Sequence, residues 1–241
     1  MGLKLVPVEN FTIEPGLSMS RYDVSSVPGL NDRRETEFEA LSFETRYRVL
    51  DRRKAPLGLT FGADPYWGRV DGITGEPVNR YGLDLLTIAD KELVPDGIFA
   101  AFNLIYGTEA ARSRATGSWE HQSGLLLATA VTAQVQPGVL IGAETRYLRS
   151  HDGLGLDRVT GQALFIGPTF YAKFAERFWI SAAWNVQVAG RATADAAPLD
   201  LTNFERHQAT LRFASIFSAI SPQAKPPAAG QIWVDGGRCR D

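Results

Sequence analysis

Two copies of one tetrapeptide, ETRY at Glu44 to Tyr47 and at Glu144 to Tyr147, are the residues of this chain whose types and spacing most clearly suggest chemistry. Alternate residues of an extended segment share a face about 7 Å apart. Each copy therefore sets a carboxylate and a guanidinium side by side on one face and leaves Thr and Tyr on the other. Lining a polar passage, such pairs select solutes by charge and size. Locked to one another in a narrow interior, they form a salt-bridge network instead. Arg48, Asp64, Asp84, Glu120, Lys173, Arg206 and Arg212 fall on the same polar face. A second chemistry is suggested by His121 and Ser123, which share a face, and by His207. Along one strand, however, that His and Ser lie about 7 Å apart, too far for a nucleophile and base to share a hydrogen bond. The chain has neither a G-x-S-x-G elbow nor an H-E-x-x-H helix motif. No catalytic residue is assigned, and the expectation is that the protein is not an enzyme. DGLGLD (152–157) lacks the acidic spacing of a calcium loop, so neither a metal nor a cofactor is expected.

The elements that must position these residues show a period of two from end to end. In FWISAAWNVQV, Phe178, Ile180, Ala182, Trp184, Val186 and Val188 fall on one face and Trp179, Ser181, Ala183, Asn185 and Gln187 on the other. ALFIGPTFYAKF and VLIGAETRYL repeat the pattern. The whole chain then reads as eleven strands, near 2–8, 10–23, 34–50, 55–69, 78–92, 97–111, 117–135, 138–150, 161–175, 177–190 and 203–217. Many are longer than the five or six residues usual in soluble sheets. Short connections at Glu9-Asn10, Asp51 to Pro56, Pro95 to Gly97, Gln136 to Gly138 and Glu176-Arg177 alternate with longer polar ones at 70–77, 150–160 and 190–200. That asymmetry is the pattern of an outer-membrane barrel, with tight periplasmic turns and longer outside loops. The fold expected is all-β, an antiparallel transmembrane β-barrel with eleven strands present of about twelve. Even strand numbers are the rule for such barrels, so an ascending strand and a signal peptide are expected upstream of Met1.

Composition limits the alternatives. Lys and Arg number 25 against 27 Asp and Glu, so the chain lacks the basic field that a nucleic-acid partner requires. A single cysteine, Cys239, cannot form an internal disulfide. No apolar run approaches the roughly 18 residues of a spanning helix. The mean hydropathy of -0.12 is compatible with a β-barrel, whose strands alternate.

The direction of the two faces follows from charge. A mid-depth Arg or Lys facing lipid costs about 2–4 kcal/mol, so the face bearing Glu44, Arg46, Arg48, Asp64, Asp84, Glu144, Arg146, Lys173 and Arg212 is expected to line the lumen. The apolar face is expected to meet outer-membrane lipid. On it Trp67, Tyr81, Tyr106, Trp119 and Tyr147 project near the outer ends of their strands, and Phe11, Tyr47, Phe174, Phe178 and Phe217 near the periplasmic ends. These form two interfacial belts. His121 and His207 fall outward near the outer interface.

The stretches TRYRVLDRRKAPLGLTFGADPYWGRVDGITGEPV (45–78), TGQALFIGPTFYAKFAERFWISAAWNVQVAGRA (160–192) and LDLTNFERHQATLRF (199–213) resemble a family of largely uncharacterised outer-membrane β-barrel proteins of Gram-negative bacteria. The resemblance covers residues 1 to about 217 and implies location in the cell outer membrane. By looser analogy it implies a channel or transporter for small solutes, with a lipid-modifying enzyme or a plugged structural barrel as the alternatives. It transfers no catalytic residue. Phe217 would supply the terminal aromatic read by the barrel-assembly machinery. Residues 218–241, rich in Pro, Ala and Gly, are expected to be a disordered extension of the 1–217 barrel.

Overall fold

The computed structural model describes residues 3–24, 32–71, 75–174, 178–193 and 197–215. Phe217, Cys239, the tail and the turn at Glu176-Arg177 lie outside the described residues. Eleven strands are present: β1 (Leu5–Val8), β2 (Phe11–Val24), β3 (Arg33–Leu50), β4 (Gly58–Val70), β5 (Pro77–Val94), β6 (Ile98–Ser113), β7 (Trp119–Gln136), β8 (Val139–Asp152), β9 (Val159–Phe174), β10 (Phe178–Ala192) and β11 (His207–Ser215). They form one sheet in chain order, each strand antiparallel to its neighbours, curled into a half-barrel with β1 and β11 at its edges. No helix occurs among the described residues, and none is long and apolar enough to cross a membrane.

The inside-out amphipathicity read from the sequence is present in the sheet. Leu211, Phe213 and Trp184 on the convex face are 73%, 67% and 53% exposed, whereas Glu144 and Arg146 on the concave face are 5% and 4% exposed. In a soluble sandwich the large apolar side chains would fill the core and the charges would face water. Here the arrangement is reversed over most of the sheet. Close strand packing inside the curve relies on glycine at particular positions. Gly82 stands opposite Tyr66, whose ring occupies the space a Cβ would need. A Cβ on Gly167 would strike the backbone carbonyl of Trp184.

Connections at one end of the sheet are tight at 9–10, 95–97 and 137–138, whereas the β3–β4 connection there runs from 51 to 57. Asn10 and Asp96 adopt left-handed conformations, as does Gly138, so the chain reverses in a few residues. The other end carries the connections 25–32, 71–76, 114–118, 153–158 and 193–206, of which 193–206 is the longest in the sheet.

Two boundaries depart from expectation. β1 covers only Leu5–Val8 and pairs with β2 at Leu5↔Ile13 and Val8↔Phe11. Pro7 has no N–H to give the ladder, which confines it to an edge. β11 begins at His207, not at 203, because the preceding residues fold as a turn around Asp200.

Candidate functional site: the concave face

The predicted inner charges do not form one ring. Glu44 and Arg46 pair with each other on β3. Arg48, near the tight-turn end, donates through Nε and Nη2 to the Asn10 side chain at 2.9 and 2.7 Å. The second tetrapeptide behaves differently. Glu144 accepts from Asn185 on β10, and Arg146 donates to Gln208 on β11 at 2.8 Å, reaching past two intervening strands. The two copies thus stay five strands apart, each tied to its own surroundings. Asp64 and Asp84 are direct cross-strand partners on β4 and β5, and Glu14 and Glu44 are partners on β2 and β3. The register of β3 on β4, with Ser42↔Tyr66 and Thr45↔Ala63, puts these two acidic pairs in one row. Lys173 and Arg212 lie on the same inner face, half-buried.

Toward the long-loop end lies an ion cluster that the sequence did not single out. Arg80 of β5 points Nη2 at Glu39 (3.4 Å) and Nη1 at Glu109 (3.6 Å), with side chains 5%, 2% and 10% exposed respectively. Tyr66 donates to Glu109 at 2.7 Å, Gln122 donates to its other oxygen at 3.2 Å, and Ser20 donates to Glu39 at 2.5 Å. Two carboxylates around one guanidinium, each with further donors, satisfy the condition under which buried charge is tolerable.

Beside it the inner face turns apolar. Leu86, Ile105, Leu126, Ala128, Leu148, Ala163 and Phe165, from β5 through β9, form a buried cluster completed by Phe204. Phe204 belongs to no strand. It is carried there by the 197–206 segment, which folds onto the inner side of β9 and β10. Asp200, fully buried, organises the fold. Its carboxylate accepts from the backbone N–H of Gln162 and of Asn203, each at 3.0 Å, and from the Asn203 side chain at 2.9 Å. Gln187 donates to the Asp200 carbonyl at 3.0 Å, and Gly190 N–H to Pro198 at 3.0 Å. The sequence signal was present in LDLTNFERH. An Asp whose side chain can accept from the backbone three residues on favours a turn over a strand.

The convex-face aromatics divide as follows. Tyr81, Trp119, Tyr47, Phe174 and Phe178 are exposed, whereas Trp67, Tyr106, Tyr147 and Phe11 are partly covered. Tyr106 stands about halfway along β6 and donates to the Leu154 carbonyl, and Tyr147 donates to Gln162 at 2.7 Å. His121 stacks on Trp119 and His207 on Trp184, both on the outer side. Outside the strands, the Arg53 side chain bonds Asp51 in the β3–β4 turn and holds its carboxyl well below the usual carboxylate range.

Residues 17–217 match a protein family described as "Family of unknown function (DUF6662)". The chain belongs to this family. No curated protein matches it, and no solved structure does. The matched region takes in β3 to β11, the buried ion cluster and the Asp200 turn, so all of these lie within the family's own span.

Proposed function

We propose that the protein is an outer-membrane β-barrel whose polar interior passes small solutes through a path narrowed by paired charges and by the inward-folded 197–206 segment. The observation that carries this reading is the reversed distribution of faces: exposed Leu, Phe and Trp outside, buried Glu, Arg and Asn inside. Lipid is the solvent that suits such a convex face, since hydrocarbon takes the apolar side chains at no cost while polar groups must pair internally. Apart from Tyr106, which stands mid-strand, the aromatics toward the two ends of the strands suit its two interfaces. In hydrocarbon the backbone groups along the free edges of β1 and β11 need partners, so this reading requires those edges to be paired in the membrane. Insertion then falls to the barrel-assembly machinery.

A second reading, a barrel plugged for structural purposes, is favoured by one observation. Phe204 closes an apolar cluster drawn from five strands, leaving little polar wall at that level. Planar-bilayer recording on the purified protein separates the two. The channel reading expects discrete conductance steps whose ion selectivity shifts in Arg46→Ala and Arg146→Ala. Silence in protein shown to be folded and inserted supports the plug. The membrane reading itself is tested by Leu85→Arg, which places a cation near the middle of β5 on the convex face. Embedded in lipid, that change costs about 2–4 kcal/mol and lowers insertion. If the variant inserts and resists denaturant as well as the parent, the membrane reading fails.

A further inference from the structure

The partner that Ser123 lacks along its own strand lies across from it. Ser123 on β7 and His151 on β8 are direct cross-strand partners, and both alternate with inward residues so that they share the convex face. Opposed residues of an antiparallel pair hold their Cβ atoms about 4.5–5.5 Å apart. Side-chain rotation alone can then bring a Ser Oγ to hydrogen-bond distance of an imidazole nitrogen. Both residues are buried, 4% and 2% exposed, although they stand on the face that is otherwise open.

Against Ser123 lies the β8–β9 loop, residues 153–158, and its Asp157 acts on His151. Gly153, at φ 84°, turns the chain, and its N–H bonds the His121 carbonyl at 2.8 Å. The loop then lies against the outer face. Ser123 donates to the Gly155 carbonyl at 2.7 Å, and Tyr106 donates to that of Leu154. Leu154 and Leu156, at the loop's tip, are about half exposed. Neither ring nitrogen of His151 makes a well-formed hydrogen bond, and the polar group that acts on the ring most directly is the Ser123 backbone. A buried imidazole so weakly satisfied costs free energy and calls for an explanation. Arg149 and Asp157, the latter on the loop, both act on the ring electrostatically.

We propose that Ser123 and His151 are the nucleophile and base of a serine esterase acting on acyl esters presented at the membrane surface, with the 153–158 loop as its lid. With the lid closed, the Ser123 proton is held by the Gly155 carbonyl. Lifting the loop breaks that bond and opens the face of both side chains. The exposed leucines at its tip give an amphiphile surface something to bind. Ser123 Oγ then bonds to the ester carbonyl carbon while its proton passes to a His151 ring nitrogen. The bond from carbon to the leaving alkoxide breaks, and the alcohol departs with that proton. Water adds to the acyl-Ser carbonyl, gives its proton to His151 and releases the acid, and the proton returns to Ser123. His121, two residues along the strand and stacked on Trp119, takes no part. The choice of a surface-borne ester rests on the membrane reading above, whereas the Ser–His chemistry does not.

The test uses the full chain reconstituted in phosphatidylcholine vesicles and an alkyl fluorophosphonate probe. Mass spectrometry of the labelled peptide should place the adduct on Ser123, and Ser123→Ala should abolish it. His151→Gln should slow labelling by about 10²–10⁴-fold, the usual worth of a general base, while His121→Gln leaves the rate unchanged. Heat-dependent gel mobility monitors folding of each variant. The inference is overturned if folded wild-type protein leaves Ser123 unlabelled, or if His151→Gln labels at the wild-type rate. A soluble p-nitrophenyl ester separates the two readings. Ser123-dependent hydrolysis of that ester without stimulation by vesicles keeps the esterase and removes the surface substrate. Loss of both activities in folded protein removes the esterase and leaves the barrel reading untouched.

Discussion

Phe204→Ala isolates the inward-folded segment from the sheet that holds it. Phe204 is 5% exposed and packs with side chains from β5 through β9. Truncating a buried Phe to Ala costs about 3–5 kcal/mol, through lost transfer energy and the cavity left behind. The hydrogen bonds of Asp200 remain, and the strand ladders do not depend on the ring. The loss therefore falls on local opening of residues 197–206 more than on the sheet. At about 1.4 kcal/mol per factor of ten, protection from hydrogen exchange should fall about a hundred-fold at the lower figure and several thousand-fold at the upper. The amides that report it are those tied to the segment: Asn203 and Gln162, which donate to the Asp200 carboxylate, and Gly190, which donates to Pro198. Amides in the β6–β7 ladder serve as the control. Unchanged exchange at the three reporters would refute the view that the ring latches the segment. An equal loss throughout the ladder would show instead that Phe204 belongs to the global core. If the barrel conducts, the same variant should show longer or larger openings.

Arg80→Met leaves Glu39 and Glu109 buried around an apolar side chain and should destabilise the protein by about 3–5 kcal/mol in denaturant titrations. Adding Glu39→Gln and Glu109→Gln should recover most of that loss, because the uncompensated charge is then gone. Asp51→Asn tests the pH linkage of the β3–β4 turn. The folded-state pKa of Asp51 is depressed by Arg53, so its stabilisation is present above the unfolded value of about 3.9 and is lost as pH falls below it, toward the folded value. Wild type and variant should therefore differ in turn stability at neutral pH and converge in strong acid. A difference that persists in acid counts against the linkage. Gly167→Ala forces a Cβ against the β10 backbone and should cost about 1–3 kcal/mol or more in unfolding. Gly16→Ala meets chiefly the rotatable Ser42 hydroxyl and should cost less.

The sheet was legible because a period of two leaves a direct trace in the chain. Ten of the strands begin and end within about three residues of where alternation places them. The direction of the faces was legible too, since a carboxylate such as Glu144 and an aromatic such as Trp184 cannot exchange solvents cheaply. Partner choice across the sheet was not. Arg146 finds Gln208 and Arg80 finds Glu39 through curvature and register, and neither is encoded in local spacing. The Asp200 turn was missed for a different reason. Alternation places the strand start at 203, four residues early, and only the reach of one carboxylate to the Asn203 amide three residues on reveals that the turn continues.

The same limit explains why Ser123 looked solitary. Spacing along a strand sets same-face neighbours about 7 Å apart, too far for proton transfer, whereas register across strands sets them at about 5 Å. Chemistry on a sheet is therefore assembled perpendicular to the chain, where a single sequence is silent. Two long-side loops make the point in opposite directions. The 197–206 segment bends inward and closes an apolar cluster with Phe204, while 153–158 bends outward and lies against Ser123, next to His151. Both are anchored by a handful of separate hydrogen bonds and not by a continuous ladder, so each can open at a fraction of the free energy that unfolds the sheet. Whatever this protein admits or transforms, the parts able to move for it lie at that end.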